Sequence, residues 1–128
     1  MKRGLISFGI LVLLIFAILF AVSTFKNIYD LKKRVKTIRV EVLNGTSRQG
    51  LAFRVSEYLR KRGFDVLYYG NADSTLQKTV IFDRTDRDCR NARIIKKYLK
   101  CGIIAYEPHP AKIVDVSVIL GYDFPEKW

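Results

Sequence analysis

The chain is short of almost everything that builds a catalytic or metal centre. It has two cysteines, one histidine and three prolines in 128 residues. Cys89 and Cys101 both fall in what reads as one helix. A helical separation of about 18 Å is too far for a disulfide. They read as a small buried hydrophobe and a helix-end residue, and they disclose no redox compartment. No Cys/His spacing of the metal-binding kind exists, so no metal and no cofactor is expected. His109 stands between Pro108 and Pro110 without an evident partner for proton transfer. No Ser or Cys sits in a nucleophile elbow. Asp73, Asp83, Asp86 and Asp88 read as turn and cap residues rather than as a cation site. Together these absences argue against an enzyme.

A second absence is charge. Gly4–Phe25 carries no charged side chain, and Leu5–Phe20 is almost wholly Leu, Ile, Val, Phe and Ala. Twenty-two helical residues span about 33 Å, slightly more than a bilayer's hydrocarbon core. Such a run satisfies its backbone in lipid only as a helix. Residues 1–25 therefore read as a transmembrane anchor. A cleavable signal peptide is the competing reading, with Ala21-Val22-Ser23 a loose cleavage site, but the apolar stretch is long for one.

The charge that is present lies unevenly. The net charge is +11. Residues 1–36 hold seven Lys/Arg against one Asp, and residues 37–128 hold sixteen Lys/Arg against eleven Asp/Glu. Over half the excess thus flanks the membrane, where it meets lipid head groups. The remaining domain is only mildly basic, which does not by itself indicate a nucleic-acid partner. Lys2 and Arg3 precede the anchor; Lys26, Lys32, Lys33, Arg34 and Lys36 follow it. Counted alone, these flanks place the C-terminal side in the cytoplasm.

Residues 26–36 continue as a helical stalk, with Ile28, Leu31 and Val35 at helical spacing. Thr37–Leu43 alternates as a strand, Ile38, Val40 and Val42 against Arg39 and Glu41. Asn44-Gly45 ends it, and Thr46 or Ser47 is positioned to cap the next helix. In Gly50–Arg62 the apolar stripe is Leu51, Ala52, Val55 and Leu59, with Glu57 and Lys61 paired on the wet side. Gly63 stops that helix. Asp65–Tyr69 is a second strand, parallel to the first because a helix connects them. Thr79–Phe82 is a third. Asp86 or Asp88 opens a second helix, ending near Lys100 before Gly102. Ile103–Tyr106 and Val114–Leu120 complete a βαββαββ order. This is an α/β sandwich, one mixed sheet packed on two helices.

Two features invite a binding role. Gly45-Thr46-Ser47-Arg48-Gln49-Gly50 nearly fits a dinucleotide fingerprint, but Ser47 replaces the glycine that lets backbone approach a pyrophosphate. The Lys-Ser/Thr of a P-loop is missing too. Asn44, Gly45, Thr46 and Gly50 therefore read as residues that shape a turn. On the second helix Arg90, Arg93, Lys97 and Lys100 recur at spacings of three, four and three, while Ala92, Ile95 and Leu99 face inward. This stripe is the candidate contact surface for an anionic partner.

The motifs Val40-Glu41-Val42-Leu43-Asn44-Gly45-Thr46 and Gly50-Leu51-Ala52, followed by Arg62-Gly63-Phe64-Asp65-Val66, Gly70-Asn71-Ala72-Asp73, Lys78-Thr79-Val80-Ile81 and Asp115–Gly121 with Asp123-Phe124, run in one order. This order resembles the LytR C-terminal domain family over residues 37–124, leaving 125–128 as a tail. Within that family the domain often follows the phosphotransferase domain of LytR–CpsA–Psr enzymes, which attach polymers to the bacterial wall. It also occurs alone behind one membrane helix, the arrangement here. Ser47 stands where the family commonly has glycine. The chain has no room for the phosphotransferase domain, so that activity is not carried over.

The resemblance implies a location outside the cytoplasmic membrane, against the charge count. The expected function is a membrane-anchored, non-catalytic accessory module of the cell envelope. Its expected partners are the lipid bilayer and either an anionic wall polymer or an envelope protein. The alternative is a cytoplasm-facing basic domain that binds nucleic acid or anionic lipid.

Overall fold

The computed structural model describes residues 2–35 and 37–127. Met1, Lys36 and Trp128, assigned above to the anchor, stalk and tail, lie outside the described residues. The chain divides into two compact units, residues 1–34 and 35–128.

The first unit is the helix α1, Lys2–Val35, which runs unbroken through anchor and stalk. Its residues Lys2–Arg34 are all exposed, including the unbroken apolar stretch. By length and composition it is able to cross a membrane. An apolar surface that encircles a helix is tolerated in lipid or in a protein core.

The second unit is a two-layer α/β fold. Its strands are β1 (Arg39–Asn44), β2 (Asp65–Asn71), β3 (Val80–Asp83), β4 (Ile103–Tyr106) and β5 (Val116–Leu120). Its helices are α2 (Leu51–Lys61) and α3 (Arg90–Leu99). The sheet order is β2-β1-β5-β3-β4. β1 runs parallel to β2 and to β5, β3 parallel to β4, and β3 antiparallel to β5. The expected mixed sheet and the parallel β1–β2 crossover are both present.

Strand alternation decides which face is covered. Val40, Val42, Ile81, Val116, Val118 and Leu120 point to the helices and are fully buried. Against them pack Leu51, Val55 and Leu59 of α2 and Ala92, Ile95 and Leu99 of α3, all nearly or fully buried. The expected stripes are correct, and Ile94 joins the core as well. The opposite face carries Glu41 and Ser117, and among the described residues of this unit neither α2 nor α3 covers it.

Several local expectations are corrected. The helix α2 is not capped by Thr46 or Ser47; Gly50 is its N-cap, in the left-handed region at φ 71°, with no side-chain cap. Thr46 is drawn away because its hydroxyl donates to Asn44 Oδ1 at 2.7 Å. Glu57 pairs with Arg60, at 2.8 Å, and not with Lys61. The helix α3 begins after Cys89 rather than at Asp86 or Asp88. Cys89 and Cys101 consequently flank this helix instead of lying within it, and both are free thiols.

The reason for the late start is Asp83. Its carboxylate is fully buried at the end of β3. Oδ1 accepts the amides of Thr85 and Asp86, and Oδ2 accepts that of Ala92 at 3.0 Å. One buried side chain thus turns the chain and satisfies an orphan amide in the first turn of α3.

Candidate binding surfaces

The Asn44–Gly50 turn is consumed by its own hydrogen bonds. Asn44 Oδ1 accepts from the Thr46 amide and hydroxyl, and its amide nitrogen donates to the Arg48 carbonyl at 2.7 Å. The Arg48 guanidinium donates to the carbonyls of Tyr122 and Phe124, clamping the turn onto the end of the domain. Ser47 and Tyr122 exchange hydrogen bonds, and the Ser47 contacts hold the Tyr122 phenol below its usual pKa. Gly45 does not need a positive φ. It is glycine because a Cβ there would stand 2.7 Å from the Leu120 carbonyl oxygen. That same carbonyl accepts the Gly45 amide at 2.8 Å. The turn is a joint between β1, β5 and α2.

The basic stripe is real but unequally free. Arg90 donates to Asp86 at 2.6 Å, and this bond lowers the Asp86 pKa and raises that of Arg90. Arg93 folds back onto the Asp88 carbonyl. Both arginines serve the entry to α3. Lys97 and Lys100 are exposed, and among the described residues their side chains meet no partner. Lys96, three residues after Arg93, is exposed as well; among the described residues it makes no hydrogen bond or ion pair, though its charge acts on the Cys101 thiol. At about 100° per residue Lys96 and Lys97 lie about 100° apart on the last turn of α3, and Lys100 follows as its C-cap. No acidic residue lies between Arg90 and Lys100.

Beside this face lies a groove of about 410 Å³, lined by Tyr58, Tyr98, Leu99, Lys100, Pro125 and Lys127. Tyr58 donates to the Tyr98 carbonyl at 2.9 Å, tying α2 to α3 along its floor. Arg62 stacks over the Tyr58 ring at 3.3 Å from its centroid. The groove thus joins two aromatic rings to the lysines of α3 and the C-terminal segment.

The layer that carries these groups is polarised. From Arg54 to Arg62 and from Arg90 to Lys100 there are nine Lys/Arg and one Glu. The rest of residues 37–128 holds seven Lys/Arg against ten Asp/Glu. The helical side is strongly basic and the remainder mildly acidic, so the modest net charge conceals a dipolar domain.

The sequence profile of the LytR C-terminal domain, described as a LytR cell envelope-related transcriptional attenuator, matches residues 37–124. The chain belongs to this family. The soluble domain of a conserved hypothetical secreted protein from Mycobacterium marinum has a similar structure, with a TM-score of 0.55 at 23% identity. The similarity covers 76% of this chain and 70% of that one. It establishes a common fold. No curated protein matches the chain significantly. LytR C-terminal membership accounts for the α/β unit and associates it with the cell envelope; the apolar α1 is an addition in front of the matched residues.

Proposed function

We propose that this chain is a membrane-anchored accessory module of the cell envelope. In this reading α1 stays attached and holds the LytR C-terminal unit outside the cytoplasmic membrane. The unit performs no chemistry. It engages an anionic wall polymer through the α3 face formed by Lys96, Lys97 and Lys100, with Arg90 and Arg93 at its edge.

The observation that carries the proposal is the contrast in partnering along α3. Its arginines are spent on local contacts, whereas its lysines have no internal partner among the described residues. Three exposed cations at the C-terminal end of α3 raise the local concentration of a polyanion. The adjoining tyrosine-lined groove offers apolar contact to the same chain. Because exposed charges are screened over about 10 Å at 0.1 M salt, such binding is weak and salt-sensitive.

Two measurements test the proposal. The mass of the native protein reports whether α1 is retained; a mature form beginning near Thr24 would mean a secreted domain. Protease added to intact spheroplasts is expected to digest the α/β unit. Protection until the membrane is opened would place the unit in the cytoplasm, as the flanking charges alone suggest, and would overturn the envelope reading.

A further inference from the structure

The uncovered face of the sheet holds a second site. Strand register sets Tyr68, Glu41, Ser117 and Phe82 side by side across β2, β1, β5 and β3. All four belong to the face away from the helices, because Glu41 alternates with the buried Val40 and Val42. Ser117 is fully buried there. Its hydroxyl donates to Glu41 Oε1 and accepts from Arg84 Nε at 2.8 Å. Arg84 in turn pairs with Glu107 at 2.7 Å and lies over the Phe82 ring. The chain Glu41–Ser117–Arg84–Glu107 fixes a carboxylate and a guanidinium on either side of one hydroxyl.

Of these groups Glu41, Tyr68 and Arg84 line a pocket of about 350 Å³, to which His109, Leu67 and Ile113 contribute walls. This size is at the small end of ligand pockets, which run from about 300 to 1,000 Å³. Tyr68 lies along its rim in a pose that an absence permits. A Cβ on Gly70 would come within 2.5 Å of the Tyr68 hydroxyl oxygen. Glycine at that position lets the ring lie over the backbone of its own strand. The result is an aromatic ring laid beside the Glu41 carboxylate.

We infer that this pocket binds a neutral, hydroxyl-rich ring of the pyranose class. The inference does not rest on the α3 face. The unpaired Glu41 opposes a phosphate or carboxylate, and the Arg84 guanidinium, though paired with Glu107, opposes an ammonium beside it. Hydroxyl groups both donate and accept, so a vicinal pair is able to give a hydrogen to Glu41 and take one from Arg84. The C–H faces of a sugar ring are apolar enough to cover Tyr68, Leu67 and Ile113. Glu41 is half-buried and belongs to no ion pair among the described residues, so a donor supplied by a ligand completes its hydrogen bonding.

The test uses the full chain in deuterated detergent micelles and saturation-transfer NMR. The probes are cellobiose and chitobiose as neutral rings, glucosamine as the cation and glucose 6-phosphate as the anion. The expected result is transfer to the ring C–H protons of a neutral disaccharide, with weaker transfer to either charged sugar. Tyr68→Ala and Glu41→Gln are each expected to weaken binding about tenfold, the loss of one stacking or charge-assisted contact. Gly70→Ala removes no group that touches the ligand, yet displaces the Tyr68 ring and is expected to weaken binding as well. Its backbone conformation accepts alanine, and Tyr68 is exposed, so these two variants fold even if Glu41→Gln does not. No transfer to the neutral probes, preference for a charged one, or equal binding by Tyr68→Ala and wild type would overturn the inference.

Discussion

The Asn44–Gly50 turn and the α3 lysine face carry comparable numbers of polar groups, yet they treat them in opposite ways. In the turn the Asn44 amide, Thr46 hydroxyl and Arg48 guanidinium are all matched inside the protein. On α3 the ammonium groups of Lys96, Lys97 and Lys100 are left to solvent. A glycine-rich loop at the end of a parallel strand resembles a ligand cradle, but here its hydrogen bonds are already used. The difference teaches that residue types propose a site and partnering disposes of it. A polar group satisfied by its neighbours supports the fold; one left unmatched is available to something else.

The comparison breaks most easily on the side of the turn. Gly121 follows the Leu120 carbonyl that receives Gly45, and a Cβ on it would stand 2.4 Å from the Lys78 carbonyl carbon. Backbone has no rotamer with which to escape. Gly121→Ala is expected to cost about 3 kcal/mol, read as a fall in the midpoint of chemical denaturation. Asn44→Ala removes three side-chain hydrogen bonds and exposes their partners in a buried place. A loss of about 2 kcal/mol is expected. If either variant melts like wild type, the turn is not the joint described.

Acid provides a milder probe. The Asp115 carboxylate accepts from Arg39 Nε and Nη2, at 3.1 and 3.0 Å, and from the Arg39 amide at 2.9 Å. Burial pushes the Asp115 carboxyl upward, but the Arg39 hydrogen bonds and charge together outweigh it, leaving its pKa below the ordinary value. A depressed folded pKa contributes stability that is complete above the unfolded value, near 3.9, and fades as pH falls through the folded one. Stability is therefore expected to hold through neutral pH and to decline below about pH 4. Asp115→Asn is expected to lower stability at pH 7 and to flatten that acid limb. An unchanged acid limb would mean the pair contributes nothing.

The smallest effect separates folding from binding on α3 itself. Lys100 is the C-cap and adopts φ 60°, a left-handed conformation that glycine enters without strain. Lys100→Gly is expected to raise stability by about 0.7 kcal/mol while removing one cation of the face. A variant that gains stability and loses affinity cannot be explained by damage to the fold.

Much of this architecture was legible in the chain. Val40 and Val42 alternating with Arg39 and Glu41 announce a strand with two different faces. The spacing of Ala92, Ile95 and Leu99 identifies the inner side of α3, and the helix between β1 and β2 dictates their parallel pairing. What escaped were contacts between residues distant in sequence. Asp83 caps α3 across nine positions, so the nearer Asp86 and Asp88 looked like the better start. Glu41 meets Ser117 across 76 positions, and neither residue type marks a pocket alone. Lys96 also stands three residues after Arg93 and four before Lys100, so spacing alone does not separate it from Lys97.

The central claim is that the α3 lysines, and not the glycine turn, contact an anionic partner. It is tested most directly by binding of the full chain in neutral-lipid nanodiscs to purified anionic wall polymer, comparing wild type with the triple variant Lys96→Glu, Lys97→Glu, Lys100→Glu. Screening lengths of about 30 Å at 0.01 M salt and 3 Å at 1 M set the two conditions. Wild type is expected to bind at low salt and release at high salt, and the triple variant to lose binding at least about tenfold at low salt with its fold intact. Equal binding by the two proteins at low salt would contradict the account.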